Sequence, residues 1–569
     1  MSDEFENEGD ANPSSEGGSR IRTILALLVP LGVYGALVSW QAYLARDQIN
    51  PDAVCYIRNA QYLIEGQFFE SIAGHRCPLI SWLIAPLLYF GVDGLHAARI
   101  VLAIWGGLFV AASYLLLRRF PQCPGWLQVT TLVLIAIATV REAVYVITPD
   151  LLLSTILMAY AAVAMSPDLL HNKRRQFLCG ILGGLGYWAK SYSLPFFVVH
   201  FTLVVALQRL RSGSERPTLG QSTLAWGRGM VAILIVSAPW IAALSWKYEK
   251  PTFSTIGQAA HNFVGPQEIT EQITLGMREV PPGRIIVNET MELMSQAQIS
   301  WSPFESREYL IQQVRVILRH AGEILSDLRE FDQLGICLSA LIFVPLVLWR
   351  PASSEDWFLA MCVLGTVFVY CSGFLPIYYE VRYIRGFLWP ICCIYCLALV
   401  VPYFAIQAPK IGLPRWTTWL VTLLVVGSFA AGIRDHGRWQ LRDSADRPGA
   451  VYRQLATQLQ ADGFAGPFAT DERIHHLGIF LAYHLDEPFL GSPIEVVRRS
   501  RRPTSPVPPT VAQIEKVLTQ YGVRSFVIEA DWSRAKEFHE QTSWQFAREL
   551  SYKSGALLVY VNPALAEGD

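Results

Sequence analysis

Charge is scarce in this chain: 16% of its 569 residues are Asp, Glu, Lys or Arg, where ordinary soluble domains carry roughly 25%. The 47 acids and 46 Lys and Arg nearly cancel, and no long basic tract occurs, so nothing selects a nucleic-acid partner or a purely electrostatic hold on a membrane. There is no HExxH and no pair of CxxC motifs, which removes the usual sequence grounds for a dedicated zinc site. No GxGxxG follows a strand-like run, which argues against a nucleotide site, and no repeat of fixed period is found.

What is present is apolar sequence, 52% of the chain, and it points to an integral membrane protein. Residues 1–20, "MSDEFENEGDANPSSEGGSR", are polar and acidic, and are expected to form a disordered cytoplasmic tail. The following "TILALLVPLGVYGALVSWQAYL" is about 22 residues, enough at ~1.5 Å per residue to cross a ~30 Å hydrocarbon core and longer than a signal peptide's apolar region. An uncleaved anchor is expected. Further spans are expected near residues 96–117, 126–142, 149–166, 176–189, 194–210, 229–247, 333–350, 356–375, 384–406 and 414–433, about eleven in all. The segment 78–92 reads alternatively as a half-inserted helix, and 176–210 can be divided differently.

Arg118 and Arg119, Lys173 to Arg175, Arg209, Arg211, Arg216 and Arg228, Arg350, and Lys410 with Arg415 fall in alternate connections, which the positive-inside rule assigns to the cytoplasm. The N-terminus is then inside, and residues 45–77, 248–332 and 434–569 face the far side of the cytoplasmic (inner) membrane. From 434 onward helix-like stretches alternate with strand-like ones ("RSFVIEA", "ALLVYVN"), with no cysteine and no span-length run. The expected fold class is a polytopic α-helical membrane protein, with a transmembrane domain over 21–433 and a small extracytoplasmic α/β domain over 434–569. "RRSRRPTSPVPP" within that domain reads as a solvated loop.

The first outer loop concentrates chemistry. Asn50 is placed to cap a helix, Pro51 suits its first position, and Asp52 lies in its first turn, where the dipole favours an anion. Ala53, Ile57, Ala60 and Ile64 recur at helical spacing, predicting an amphipathic helix on the outer membrane surface. Asp150, again directly after a proline, opens a span on the same side. Lys190 ends another, and "YYEVRYIRGFLWP" brings Glu380, Arg382 and Arg385 to that face. Charges at such depth are costly unless paired or facing a wet cavity. The structural alternatives are a decorated helix start for Asp52 and snorkelling anchors for the others.

Together these residues resemble the GT-C membrane glycosyltransferases, in particular the branch with protein O-mannosyltransferases and lipid A aminoarabinose transferases. The resemblance covers roughly residues 20–435. It rests on Asp52 followed four positions later by Tyr56, a "KPPLxxW"-like "RCPLISW" (Arg76 to Trp82), Pro149–Asp150 at a span start, Lys190 in a Gly-rich span, and an "ERY...P"-like set of Glu380, Arg382, Tyr383 and Pro390. It implies transfer of a sugar from a polyprenyl-phosphate carrier to a hydroxyl of an acceptor glycan, lipid or protein of the cell envelope. Asp52 would be the general base, with burial offsetting the dipole's effect on its pKa. Arg76, Lys190 and Arg382 would balance charge on the departing phosphate, and Asp150 would orient Lys190 or the acceptor. Tyr56, Trp82 and Tyr383 would stack on sugar or shape the cavity. The donor is the lipid-linked sugar, and the resemblance leaves a divalent metal undecided. Ala53, Cys77, Ile384 and Arg385 depart from the family pattern and leave sugar and acceptor open.

Two rival classes, a transporter and a membrane sensor, compete with this reading. A transporter would show matching halves with interrupted spans, and none are evident. A membrane sensor would bind through 434–569 without needing the acid and base set. Of ten cysteines only Cys55 and Cys77 lie in the first outer loop; a disulfide would clamp them in an oxidising compartment, free thiols being the default. The loop 248–332 is long enough to serve as a lid or docking surface. His261 within it reads as a surface residue, and Asn288 begins a glycosylation triplet.

Overall fold

Hydropathy and caps together set where the helices begin and end. The computed structural model describes residues 13–211, 217–286, 300–333, 335, 339–340, 354–445, 449–498, 503–505, 507–552 and 555–566. Most of the expected span at 333–350 lies outside the described residues, as do Asn288 and the tail over 1–12. The first helix, α1, already begins at Pro13 and runs to Leu44. The other nine expected spans fall on α4 (Gly94–Leu117), α5 (Gly125–Val144), α6 (Asp150–Ala164), α7 (Lys173–Ala189), α8 (Ser193–Leu210), α9 (Leu219–Lys247), α11 (Ser354–Ser372), α12 (Arg382–Ile411) and α13 (Trp416–Ala445). Between them lie α2 (Pro51–Ile64), α3 (Leu79–Tyr89) and α10 (Arg307–Glu330). Among the described residues, eight helices are long and apolar enough to cross a membrane. With 15 and 17 residues, α6 and α7 fall short of the ~20 needed, as does α3 with 11.

Side chains start several of these helices. Asp93 accepts from the Leu95 and His96 amides at α4, and Thr218 and Gln221 form a capping box at α9. Helices α7 and α9 touch backbone to backbone. A Cβ on Gly180 would lie 2.2 Å from the Gly229 carbonyl and 2.6 Å from Ala232 Cβ, so only glycine permits this approach. Lys190 stands at the C-cap of α7.

The C-terminal region has helices α14 (Ala450–Ala461), α15 (His475–Leu485) and α16 (Val511–Gln520). They pack on a sheet of β2 (Phe468–Thr470), β4 (Ser525–Glu529), β6 (Gly555–Val561) and β5 (Gln545–Tyr552), in that spatial order. β2 runs parallel to β4, and the other pairs are antiparallel. The 248–332 loop is woven into this region: β1 (Thr274–Leu275) pairs with β3 (Val496–Val497). The Arg278 amide donates to Leu490 O (2.8 Å) and the Phe489 amide to Ile285 O (2.7 Å). Met277 joins the core of Ile514, Phe526 and Phe538.

Helix α2 does not lie open on a membrane surface, as its periodicity predicts. Ala53, Ile57 and Ala60 are fully buried, and so are Val54 and Cys55 off the stripe; only Ile64 is exposed. The reason is tertiary: α3 and α4 pack on one side and α15 of the C-terminal region on another. Arg58 donates to Gly283 O (3.0 Å) and pairs with Asp486 (3.3 Å). Buried Arg99 on α4 pins the loop ahead of α2 by donating to Arg46 O (2.7 Å) and to Gln48 O.

Candidate active site

Asn50 occupies the N-cap of α2, yet its side chain does not cap it. The amide is used across the molecule instead: the Ile147 N–H donates to Asn50 Oδ1 (3.0 Å), and Asn50 Nδ2 donates to Ile147 O (3.4 Å). This pairing holds the first turn of α2 beside the Thr148–Pro149–Asp150 turn that opens α6. On the other flank the Ser81 hydroxyl of α3 donates to Tyr56 O (2.9 Å). The two acids that each follow a proline, 98 positions apart in sequence, therefore face one hollow.

That hollow is a cavity of about 630 Å³ lined by Asp52, Tyr56, Arg76, Asp150, Lys190, Glu380, Arg382 and Tyr383, within the size range of small-ligand sites. Arg76 Nη1 donates to Asp52 Oδ1 (2.8 Å) and Arg382 Nη1 to Asp52 Oδ2 (3.0 Å). Arg382 Nε also lies 2.6 Å from Glu380 Oε2, whose other oxygen accepts from the Tyr378 hydroxyl (2.9 Å). In a second group Lys190 Nζ donates to Asp150 Oδ1 (2.6 Å) and the Thr148 hydroxyl to Asp150 Oδ2 (2.9 Å). Tyr383 joins the groups, its ring centre 3.9 Å from Lys190 Nζ and 5.4 Å from the Arg382 guanidinium. Arg76 sits over the Tyr56 ring at 5.2 Å.

Burial alone would raise the Asp52 pKa, but the Arg76 and Arg382 guanidiniums outweigh it and hold the carboxylate well below its usual range. The two guanidiniums thus keep Asp52 ionised despite its burial. His75 also lines the cavity, and burial with Arg76 beside it pushes its pKa down to about 3, leaving a neutral imidazole. Four cations (Arg76, Lys190, Arg382, Arg498) and three carboxylates (Asp52, Asp150, Glu380) line the cavity, an excess of one positive charge that favours an anionic ligand.

Trp82 belongs elsewhere. It stands edge-on to Trp188 (5.2 Å) and Trp240 (5.8 Å) in a cluster tying α3 to α7 and α9, and it is not among the residues lining the cavity; on a helix, its side chain turns away from the face bearing the Tyr56 contact. Cys55 and Cys77 are not joined by a disulfide: the Cys55 thiol turns to Pro51 O (3.4 Å), and Cys77 faces the cavity, its pKa pushed up to about 12 by burial. His261 stacks on Trp301 (4.2 Å) and bonds Gln313 (2.8 Å). Among the described residues no group of three His, Cys, Asp or Glu is placed to hold a metal ion.

Cavity residues that the sequence did not single out include His75, Thr148, Ser191, Tyr378 and Arg498. His75 and Thr148 adjoin residues singled out, so proximity was a usable signal. Arg498 carried none: it opens the string read as a solvated loop, and only the β1–β3 pairing brings it to the cavity.

No family model and no curated protein matches the chain, whereas solved structures do. ArnT from Cupriavidus metallidurans bound to undecaprenyl phosphate aligns with a TM-score of 0.53 at 14% identity, over 96% of this chain and 99% of that one. Its apo state gives 0.50 at 14% identity, over 98% and 100%. The apo oligosaccharyltransferase of Archaeoglobus fulgidus gives 0.52 at 14% identity, over 89% and 69%. Both proteins are GT-C membrane glycosyltransferases. This chain is therefore an integral membrane protein with the GT-C fold, as the order of its motifs implied.

Proposed function

We propose that this protein is a glycosyltransferase that takes a sugar from a polyprenyl-phosphate carrier and moves it to an acceptor hydroxyl on the extracytoplasmic side. The observation that carries the reading is the meeting of Asp52, Arg76, Asp150, Lys190, Glu380 and Arg382, drawn from distant stretches of chain, in one cavity with an excess positive charge. The fold is shared with an ArnT that binds undecaprenyl phosphate, which supports the lipid carrier. The Arg- and Lys-rich connections lie at the other ends of the spanning helices, which supports the sidedness.

The acceptor oxygen attacks the anomeric carbon, and the bond from that carbon to the carrier phosphate breaks. The bonding pair leaves on the phosphate oxygen, and the acceptor proton passes to Asp52. Arg76 and Arg382 are shared between Asp52 and the phosphate. As they turn toward the phosphate, the clamp on Asp52 loosens and its basicity rises when the donor is in place. Lys190, held by Asp150, adds positive charge where negative charge develops on the leaving group.

Mass spectrometry of lipid A, surface-protein and cell-wall glycans tests this, using cells that lack the protein and cells complemented with wild type or Asp52→Asn. One modification should vanish without the protein and return only with wild type. Unchanged glycans, together with no isoprenoid phosphate in the purified protein, would refute the reading.

A further inference from the structure

Arg498 is a cavity residue supplied by the C-terminal region, and its position is set by backbone pairing with the outer loop. β3 pairs with β1 in the register Thr274↔Val497 and Leu275↔Val496, and the Arg498 amide itself donates to Ile273 O (3.0 Å). Just upstream of β1, the outer loop lines the cavity with Phe253, Ile256, Gln258 and Phe263. The Arg498 guanidinium lies 5.0 Å from the Phe263 ring centre. It is close enough to Arg76, Asp52 and Glu380 for their charges to act on it. Arg498 is the fourth cation on a cavity wall that holds three carboxylates, and that excess positive charge favours an anionic ligand at this end of the site.

We propose that Arg498 is a binding residue for the phosphate of the lipid carrier, and that the C-terminal region completes the active site by holding it there through the β1–β3 pairing. The inference rests on the transferase reading above and adds a phosphate ligand and a role for residues 434–569. It makes the outer loop and the C-terminal region one cover over the cavity, with a cation mounted on its inner face.

The test is binding of a polyprenyl phosphate, and of the uncharged polyprenol of equal length, to the full-length protein in nanodiscs. Wild type should prefer the phosphate. Arg498→Ala should bind it at least ~10-fold more weakly, the effect of losing a charge-assisted hydrogen bond, with polyprenol affinity unchanged, and Arg498→Lys should recover most of the loss. Arg498→Ala binding the phosphate as wild type does, while Arg382→Ala binds it more weakly, would overturn the role of Arg498 and leave the transferase reading standing. Equal weakening of both ligands by Arg498→Ala would show a purely structural residue and would also overturn it. A wild type with no preference for the phosphate would overturn the transferase reading, and this proposal with it.

Discussion

On the proposed mechanism, replacing Asp52 by Asn separates binding from chemistry, because the carboxylate proposed as base would also compete with a carrier phosphate for the two arginines that it pairs with. The change removes one negative charge from a cavity with four cations and three carboxylates, raising the excess from one positive charge to two. For a phosphate about 6 Å from the carboxylate, at an effective dielectric of ~20, the lost repulsion is about 3 kcal/mol. Asp52 keeps about a quarter of its side-chain surface exposed, so screening reduces this, and a gain of at least ~10-fold in phosphate affinity is expected. Transfer should fall by ~100-fold or more, the lower range for loss of a general base. The assay pairs equilibrium binding of a polyprenyl phosphate with single-turnover transfer from the sugar-loaded carrier. Tighter binding with lost transfer is the expected signature. Near-normal transfer would remove Asp52 from the chemistry, and weaker phosphate binding would refute competition for Arg76 and Arg382.

Lys190→Met strands Asp150 with the Thr148 hydroxyl. It should cost about 2 kcal/mol, less than the ~3–5 of a fully buried pair because Lys190 keeps 25% of its side-chain surface. Adding Asp150→Asn should restore the melting temperature without restoring transfer, and a double variant as unstable as the single would refute the pairing. The Asp52 pKa is depressed in the fold, so its contribution to stability is complete above its unfolded value of about 4 and lost as pH falls through the folded one. The margin by which wild type out-melts Asp52→Asn should be constant from about pH 5 to 8 and shrink only below about pH 4; a margin fading between those higher values would contradict the arginine clamp. Gly180→Val sets a side chain against the Gly229 carbonyl, 2.2 Å from the Cβ position, and backbone yields little. A loss of about 2 kcal/mol or more, read by thermal melting, and reduced transfer through displacement of Lys190 are expected.

Local physics made much of this protein legible from its residues alone. Apolar length located most of the spans, eight helices among the described residues being long and apolar enough to cross, since a helix needs ~20 residues to cross hydrocarbon wherever it occurs. The prolines before Asp52 and Asp150 marked both helix starts, Pro51 suiting the first helical position and Pro149 standing at the N-cap. The charges near the membrane face declared themselves because burying them singly is costly. Tertiary structure decided the rest. Helix α2 is amphipathic by period, yet it is buried on nearly every side because α3, α4 and α15 of the C-terminal region all pack on it. Asn50 is a capping residue by type, but Ile147 takes its side chain. Trp82 carries the motif's spacing, but α7 and α9 offer it aromatic partners away from the cavity. Cys55 and Cys77 share a loop, but helix α2 turns one thiol toward its own backbone. Arg498 reaches the site only because two short strands some 220 positions apart pair edge to edge, and strand partners at that separation leave no local trace in the residues themselves.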